Sequence, residues 1–150
     1  TISVCLSKGL GCPVGSLLVC SEKLYEKALK IRKILGGGMR QSGFLAACGL
    51  YALENNIDRL KYDHFKAKEI EEKLLKLDFI KKVYPVETNI IIFELNDSFS
   101  SKDLIKELQN KGIEIISMGD NKLRIVTHMD YSDDFHDYFL DSLGKINLKS

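Results

Sequence analysis

The sequence predicts a mixed α/β chain, and three observations carry the prediction. Short apolar runs bounded by Gly, Pro or Asn alternate with longer stretches whose apolar residues recur every three or four positions. Hydrophobic residues, at 45%, are enough for a core, while 29% charged residues leave a polar surface. Turn formers fall where the period changes, at Gly36-Gly37-Gly38, Asn55-Asn56, Gly112 and Asp120-Asn121.

Residues 2–6 and 16–20 are the first two strands, joined by a glycine-rich loop. Ser21 then fits a helix N-cap. Leu24, Ala28, Ile31 and Leu35 follow at helical spacing and predict one buried face. Lys23, Glu26, Lys27, Lys30 and Lys33 lie on the opposite, solvated side, and the three glycines end the helix. Residues 41–54 carry little charge, so this helix is expected to be enclosed, by its own chain or by a partner. A charged helix spans residues 59–77, with Ala67, Ile70, Leu74 and Leu77 as its apolar stripe. Strands at 79–84, 89–95, 113–117 and 123–128 and helices at 101–111 and 132–143 make a small α/β layer. Gly112 suits a helix C-cap, and Asp120-Asn121 suits a tight turn between strands.

Composition excludes several functions. Twenty-two basic and 21 acidic side chains leave a net charge of +1, which calls for neither nucleic acid nor an anionic membrane. No apolar run approaches the roughly 20 residues of a membrane helix, and no signal-peptide pattern opens the chain. Cys5, Cys12, Cys20 and Cys48 match neither a zinc site nor a disulfide framework. They read as small buried hydrophobes in a reducing compartment, hence a cytoplasmic protein with no metal centre. A start at Thr1, directly in a strand pattern, suggests a piece of a longer polypeptide.

The chemistry concentrates at Ser7-Lys8-Gly9-Leu10-Gly11-Cys12-Pro13. A buried lysine loses charge through desolvation, and the neutral amine is the nucleophile that condenses with an aldehyde. Glycines on either side let a flat ring approach the backbone. Taken alone, the stretch reads rather as a solvated turn. Arg124 alternates with Leu123 and Ile125 on a strand, where its planar fork suits a carboxylate or simply faces solvent. His64 follows Asp63 on a charged helix, His128 ends a strand, and His136 belongs to a surface helix. None has a nucleophile at a readable spacing, so none is given a catalytic role.

In order along the chain, "SVCLSKGLGCPVGSLLVC", "RKILGGGMRQSGFLAACGLYAL", "DH" at Asp63-His64, "TNIIIFEL" and "LRIVTH" resemble the C-terminal part of the low-specificity L-threonine aldolases. These belong to the β-eliminating lyase group of pyridoxal-phosphate enzymes. The resemblance implies the end of a PLP-dependent transferase-like large domain, residues 1–56, followed by a small C-terminal α/β domain, residues 57–150. It implies that Lys8 carries pyridoxal 5'-phosphate covalently, with Ser7 and Gly9 shaping its surroundings. It implies further that Arg124 holds the substrate carboxylate, and that Arg40 and Lys33 touch the cofactor site or a neighbouring subunit. The bland alternatives are a solvated helix face for Lys33 and a cap on the glycine turn for Arg40.

The implied reaction cleaves L-threonine or L-allo-threonine, β-hydroxy amino acids, to glycine and acetaldehyde in a homo-oligomer, commonly a tetramer. In the family a long N-terminal region supplies the acid at the pyridine nitrogen, the ring-stacking group and most of the phosphate cup. This portion alone is therefore expected to be inactive. Two other readings stay open: a non-catalytic α/β fragment that self-associates through residues 41–54, and a β-eliminating lyase acting on another amino acid.

Overall fold

A computed structural model describes residues 1–148. The chain divides into two compact units, Thr1–Leu60 and the portion from Lys61 onward.

In the first unit, β1 (Ile2–Cys5) and β2 (Ser16–Val19) pair antiparallel, with Ile2 opposite Val19 and Cys5 opposite Ser16. Two helices follow, α1 (Glu22–Ile34) and α2 (Gly43–Asn55). Ser21 precedes α1 in extended backbone, but its side chain makes no cap hydrogen bond. The end of α1 is closed as the glycines predict. Gly36 adopts φ 81° and donates to the Lys33 carbonyl at 3.1 Å, while Gly37 donates to Arg32 at 2.8 Å. That pairing satisfies two otherwise orphaned carbonyls and needs a left-handed residue at Gly36.

The burial expected of α1 is corrected, and α2 is not enclosed by its own chain. No residue of α1 is buried, and Leu24, Ile31 and Leu35 are exposed. Helix α2 buries only Gly49 and Ala52, leaving Phe44 81% and Leu50 62% exposed. A helical period tells which face is to be covered, not where the cover comes from. The unit's own core is small, built on Leu6, Cys12 and Ala52 with Leu10 against them. Of the cysteines only Cys12 is buried. Cys5 and Cys20 are half-buried and Cys48 is exposed, so the packing role expected of all four holds for one.

The second unit has a substantial core. Helix α3 (Leu60–Leu74) supplies Ala67, Ile70 and Leu74, all fully buried as the stripe predicts, although the helix stops before Leu77. Strands β3 (Ile80–Val83), β4 (Ile90–Leu95), β5 (Ile116–Gly119) and β6 (Lys122–Val126) form an antiparallel sheet in the order β3-β4-β6-β5. Alternation turns Ile91, Phe93 and Leu95 of β4 and Leu123 of β6 inward. They meet Leu104 and Leu108 of α4 (Ser101–Gln109) and Phe139 and Leu143 of α5 (Asp133–Gly144).

Strand β5 starts later than expected because the preceding residues finish a helix. Gly112, at φ 74°, donates to Gln109, and Ile113 donates to Leu108, both at 2.9 Å. The β5–β6 turn matches its prediction, with Asp120 at φ 47° and Asn121 at φ 56°, the paired left-handed residues of a tight hairpin. Asn121 also accepts from the Ser101 amide and donates to the Phe99 carbonyl, each at 3.0 Å. Asn121→Gly keeps the backbone conformation and removes both bonds. It is expected to destabilise the protein by about 1–2 kcal/mol in denaturant titration.

Glu71 fastens α3 to the segment before β4 by accepting from the Val86 amide at 3.1 Å and pairing with Lys68 at 2.8 Å. The Lys68 hydrogen bond, foremost, holds its carboxyl below the usual value of 4.5. Its contribution is present above that value and is lost as pH falls through the lowered folded value. Glu71→Gln is therefore expected to flatten the acid limb of the stability–pH curve below about pH 4.5. Among the described residues no helix is long and apolar enough to cross a membrane.

Candidate active site

The loop between β1 and β2 is fastened at several points. Leu6 donates to Gly15 at 2.9 Å, Cys12 donates back to Leu6 at 3.0 Å, and the Cys12 thiol reaches the Cys48 carbonyl at 3.5 Å. Within it the Gly11 amide donates to the Lys8 carbonyl at 2.8 Å, closing a turn that Lys8 opens. Gly11 sits at φ 73°, where a side chain is strained, and a Cβ on Gly9 would stand 2.8 Å from the Leu60 Cδ2 methyl, so that leucine side chain would have to shift. The Gly9 carbonyl accepts from Arg59 at 3.0 Å and the Leu10 carbonyl from Asn56 at 2.7 Å.

Lys8 itself is exposed, not shielded, while Leu6 and Cys12 of this loop turn into the small core with Leu10 against them. Its side chain makes no hydrogen bond or ion pair among the described residues. Beside it the Cys5 thiol is held below its ordinary value. Hydrogen bonding to Ser7, whose hydroxyl lies 3.4 Å away, is the main cause, and the Lys8 charge adds a smaller effect.

Lys33 lies in the last turn of α1 and Arg40 in the turn before α2, next to Gln41 at φ 49°. Both are exposed, and no hydrogen bond or ion pair joins them to Lys8 or to each other among the described residues. Arg40 makes no side-chain cap on the glycine turn, whose bonds are backbone to backbone.

Arg124 belongs to the second unit. On β6 it lies opposite Ile92 of β4 and Ile116 of β5, on the sheet face away from the buried Leu123. It borders a cleft of about 300 Å³ shared with Glu114, Ile116, His128 and Tyr131. Its Nε is buried without a hydrogen-bond partner, and no ion pair holds the guanidinium among the described residues. A buried, unsatisfied donor on a permanently charged fork is costly to maintain. Such a group binds an anion well, and a carboxylate matches its geometry.

The histidines divide. His128 is exposed, with Nδ1 3.7 Å from the Asp130 carboxylate. His136 is only 5% exposed, which corrects its placement on a surface helix face. Its Nε2 lies 3.0 Å from Glu69 and its Nδ1 3.2 Å from the Tyr131 hydroxyl. Burial, helped by the nearby Asp137 charge, pushes the Tyr131 phenol above its usual value, so it keeps its proton. The His136 ring thus bridges the Tyr131 hydroxyl and the Glu69 carboxylate. This cluster ties α3 to α5. The motif residues Asn89 and Thr127 likewise serve as fasteners. The Thr127 hydroxyl donates to the Asp63 carbonyl at 2.7 Å, and the Asn89 amide donates to the Thr127 carbonyl at 2.8 Å.

The sequence marks Asn56 only as a turn former and Arg59 only as the start of a charged helix, not as partners of the lysine loop. They act 46 and 50 residues from the carbonyls they hold, a separation without local pattern.

The chain belongs to the beta-eliminating lyase family, whose model matches residues 1–98. It is 45% identical over 131 residues to low-specificity L-threonine aldolase 1 of Arabidopsis thaliana, covering 85% of this chain and 37% of that protein. It is 39% identical over 132 residues to the low specificity L-threonine aldolase of Escherichia coli strain K12, covering 88% and 38%. This chain thus spans under half the length of the curated relatives it matches. Among solved structures it resembles a decarboxylase from Sulfurospirillum multivorans (TM-score 0.57, 18% identity, 77% of this chain, 36% of that one). It also resembles the cystine C-S lyase C-DES (TM-score 0.54, 14% identity, 71% and 29%). These likenesses show the fold, a part of the PLP-dependent transferase architecture.

Proposed function

We propose that this chain is the C-terminal part of a pyridoxal-phosphate aldolase that cleaves L-threonine or L-allo-threonine to glycine and acetaldehyde. Kinship to threonine aldolases supplies the reaction class. The observation that carries it in this chain is Arg124, a guanidinium with a buried Nε left without an acceptor beside a cleft.

The residues present fit the cofactor. Lys8 offers an amine free of hydrogen bonds and ion pairs among the described residues, and Gly9 keeps the turn clear of a side chain. Pyridoxal 5'-phosphate, when bound, supplies an electron-withdrawing ring that takes up the electron pair of the breaking bond. Lys8 would hold that group through Nζ and would give or take a proton there. Arg124 would donate two hydrogen bonds to the substrate carboxylate and so orient the substrate. Lys33 and Arg40, exposed on α1 and before α2, are read as contacts to the cofactor site or to a neighbouring subunit.

The same reading assigns residues 1–56 to the end of the cofactor-binding domain and the remainder to the small C-terminal domain. It includes an N-terminal region that completes the site and shields Lys8, and a cytoplasmic homo-oligomer, most simply a tetramer. The uncovered apolar surface of α1 and α2 supports a covering body of this kind.

A second reading keeps every residue and changes the bond, since the matching family model is that of beta-eliminating lyases. A substrate panel on the full-length protein decides. Acetaldehyde and glycine from L-threonine are expected. Pyruvate and ammonia from a sulfur or aromatic amino acid, with no acetaldehyde, would transfer the assignment to elimination. A third reading, a non-catalytic self-associating fragment, is favoured by exposed α2 and predicts dimers of the isolated chain that never bind the cofactor.

A further inference from the structure

We propose that Asn56 and Arg59, just beyond the C-terminal end of α2, are positioning residues that aim Lys8. The inference rests on Lys8 being the cofactor lysine. The turn opened by Lys8 is closed by one backbone bond, Gly11 to Lys8 at 2.8 Å. A turn with a glycine at its second position, and another at its fourth with φ 73°, has many conformations open to it. One hydrogen bond does not choose among them.

The peptide planes between Lys8 and Gly11 are fixed by where their carbonyls point. The Gly9 carbonyl accepts from an Arg59 guanidinium nitrogen at 3.0 Å and the Leu10 carbonyl from the Asn56 amide at 2.7 Å. Two successive carbonyls are thus pinned by side chains from a single short segment. Leu60, from the same segment, lies close against Gly9, its Cδ2 methyl 2.8 Å from where a Cβ would stand. With the Lys8 carbonyl held by the Gly11 amide as well, all three planes of the turn are set, and the Cα–Cβ direction of Lys8 with them. That matters for an exposed lysine on a flexible stem: capture of an aldehyde depends on how often Nζ occupies one position, and misplacement by about 1 Å can cost about 10²-fold.

Neither side chain touches the cofactor in this scheme, so the test reads Lys8 geometry directly. In the full-length apoprotein, Asn56→Asp turns a donor into an acceptor facing the Leu10 carbonyl, and Arg59→Met keeps the stem but removes the donor. Both are expected to speed amide exchange at Gly11, and to slow the appearance of the lysine-linked absorbance band after mixing with pyridoxal 5'-phosphate by about 10- to 100-fold. Arg59→Lys restores one donor and is expected to recover the rate to within about threefold. KM for L-threonine stays unchanged, because Arg124 is untouched. Parental Gly11 exchange together with parental capture in Arg59→Met would overturn the inference. A Lys8→Ala protein that still acquires the band would instead overturn the assignment of Lys8, while Gly11 exchange would still decide whether the clamp exists. Should Asn56→Asp fail to fold, the Met and Lys variants of Arg59 suffice to decide.

Discussion

In the full-length protein, Lys8→Ala is expected to abolish the covalent cofactor linkage and to lower threonine cleavage by at least about 10³-fold, the scale of removing a positioned proton-transfer group. The loss should fall on kcat. The turn around Lys8 is built from backbone bonds to Leu6, Lys8 and Gly15 and from the Asn56 and Arg59 clamp, none of which uses the lysine side chain. An exposed side chain with no hydrogen bond or ion pair among the described residues can be shortened without disturbing the fold. An unchanged melting temperature with a vanished absorbance band is the expected pairing. A persisting lysine-linked band in Lys8→Ala would sink the assignment.

The second large effect concerns Arg124→Ala, for which KM should rise by about 10²-fold while the cofactor band stays intact. Charge-assisted hydrogen bonds to a carboxylate contribute about 1.5–3 kcal/mol each, and the fork makes two. Arg124→Lys keeps the charge and loses the second bond, so about a tenfold rise in KM is expected. The same substitutions should leave stability nearly unchanged or improve it, since an unsatisfied buried Nε is removed. An Arg124→Ala protein that is strongly destabilised, with parental KM, would show that the arginine serves the sheet and not the substrate.

How much of this the residues announce depends on the range of the interaction. Ala67, Ile70 and Leu74 declare their buried stripe through spacing alone. Gly36, Gly112 and Asp120-Asn121 declare their turns through left-handed backbone, because each of these signals lies within a few residues. Arg124 is legible to the level of its strand and face. Its orphaned Nε is not, since satisfaction depends on everything brought nearby by β4 and β5.

The departures have the same origin. Helix α1 has the period of a covered helix and no buried residue, and His136 sits in an acidic, surface-like run yet is buried between Glu69 and Tyr131. Lys8, for which the chemistry predicts shielding, is exposed. Glycine content around a lysine reports backbone freedom, and burial is decided by what packs over the loop.

The unequal cores of the two units carry a consequence for how the polypeptide comes apart. The later unit closes a sheet and three helices around Phe93, Ile70, Leu104 and their neighbours, whereas the earlier one rests on Leu6, Cys12 and Ala52. Opening free energies therefore differ along the chain, and the lysine-bearing segment sits at the lower end. In the chain by itself, amide exchange across residues 1–60 is therefore expected to outpace exchange around Ile70, Phe93 and Leu104 while most of the circular dichroism is untouched.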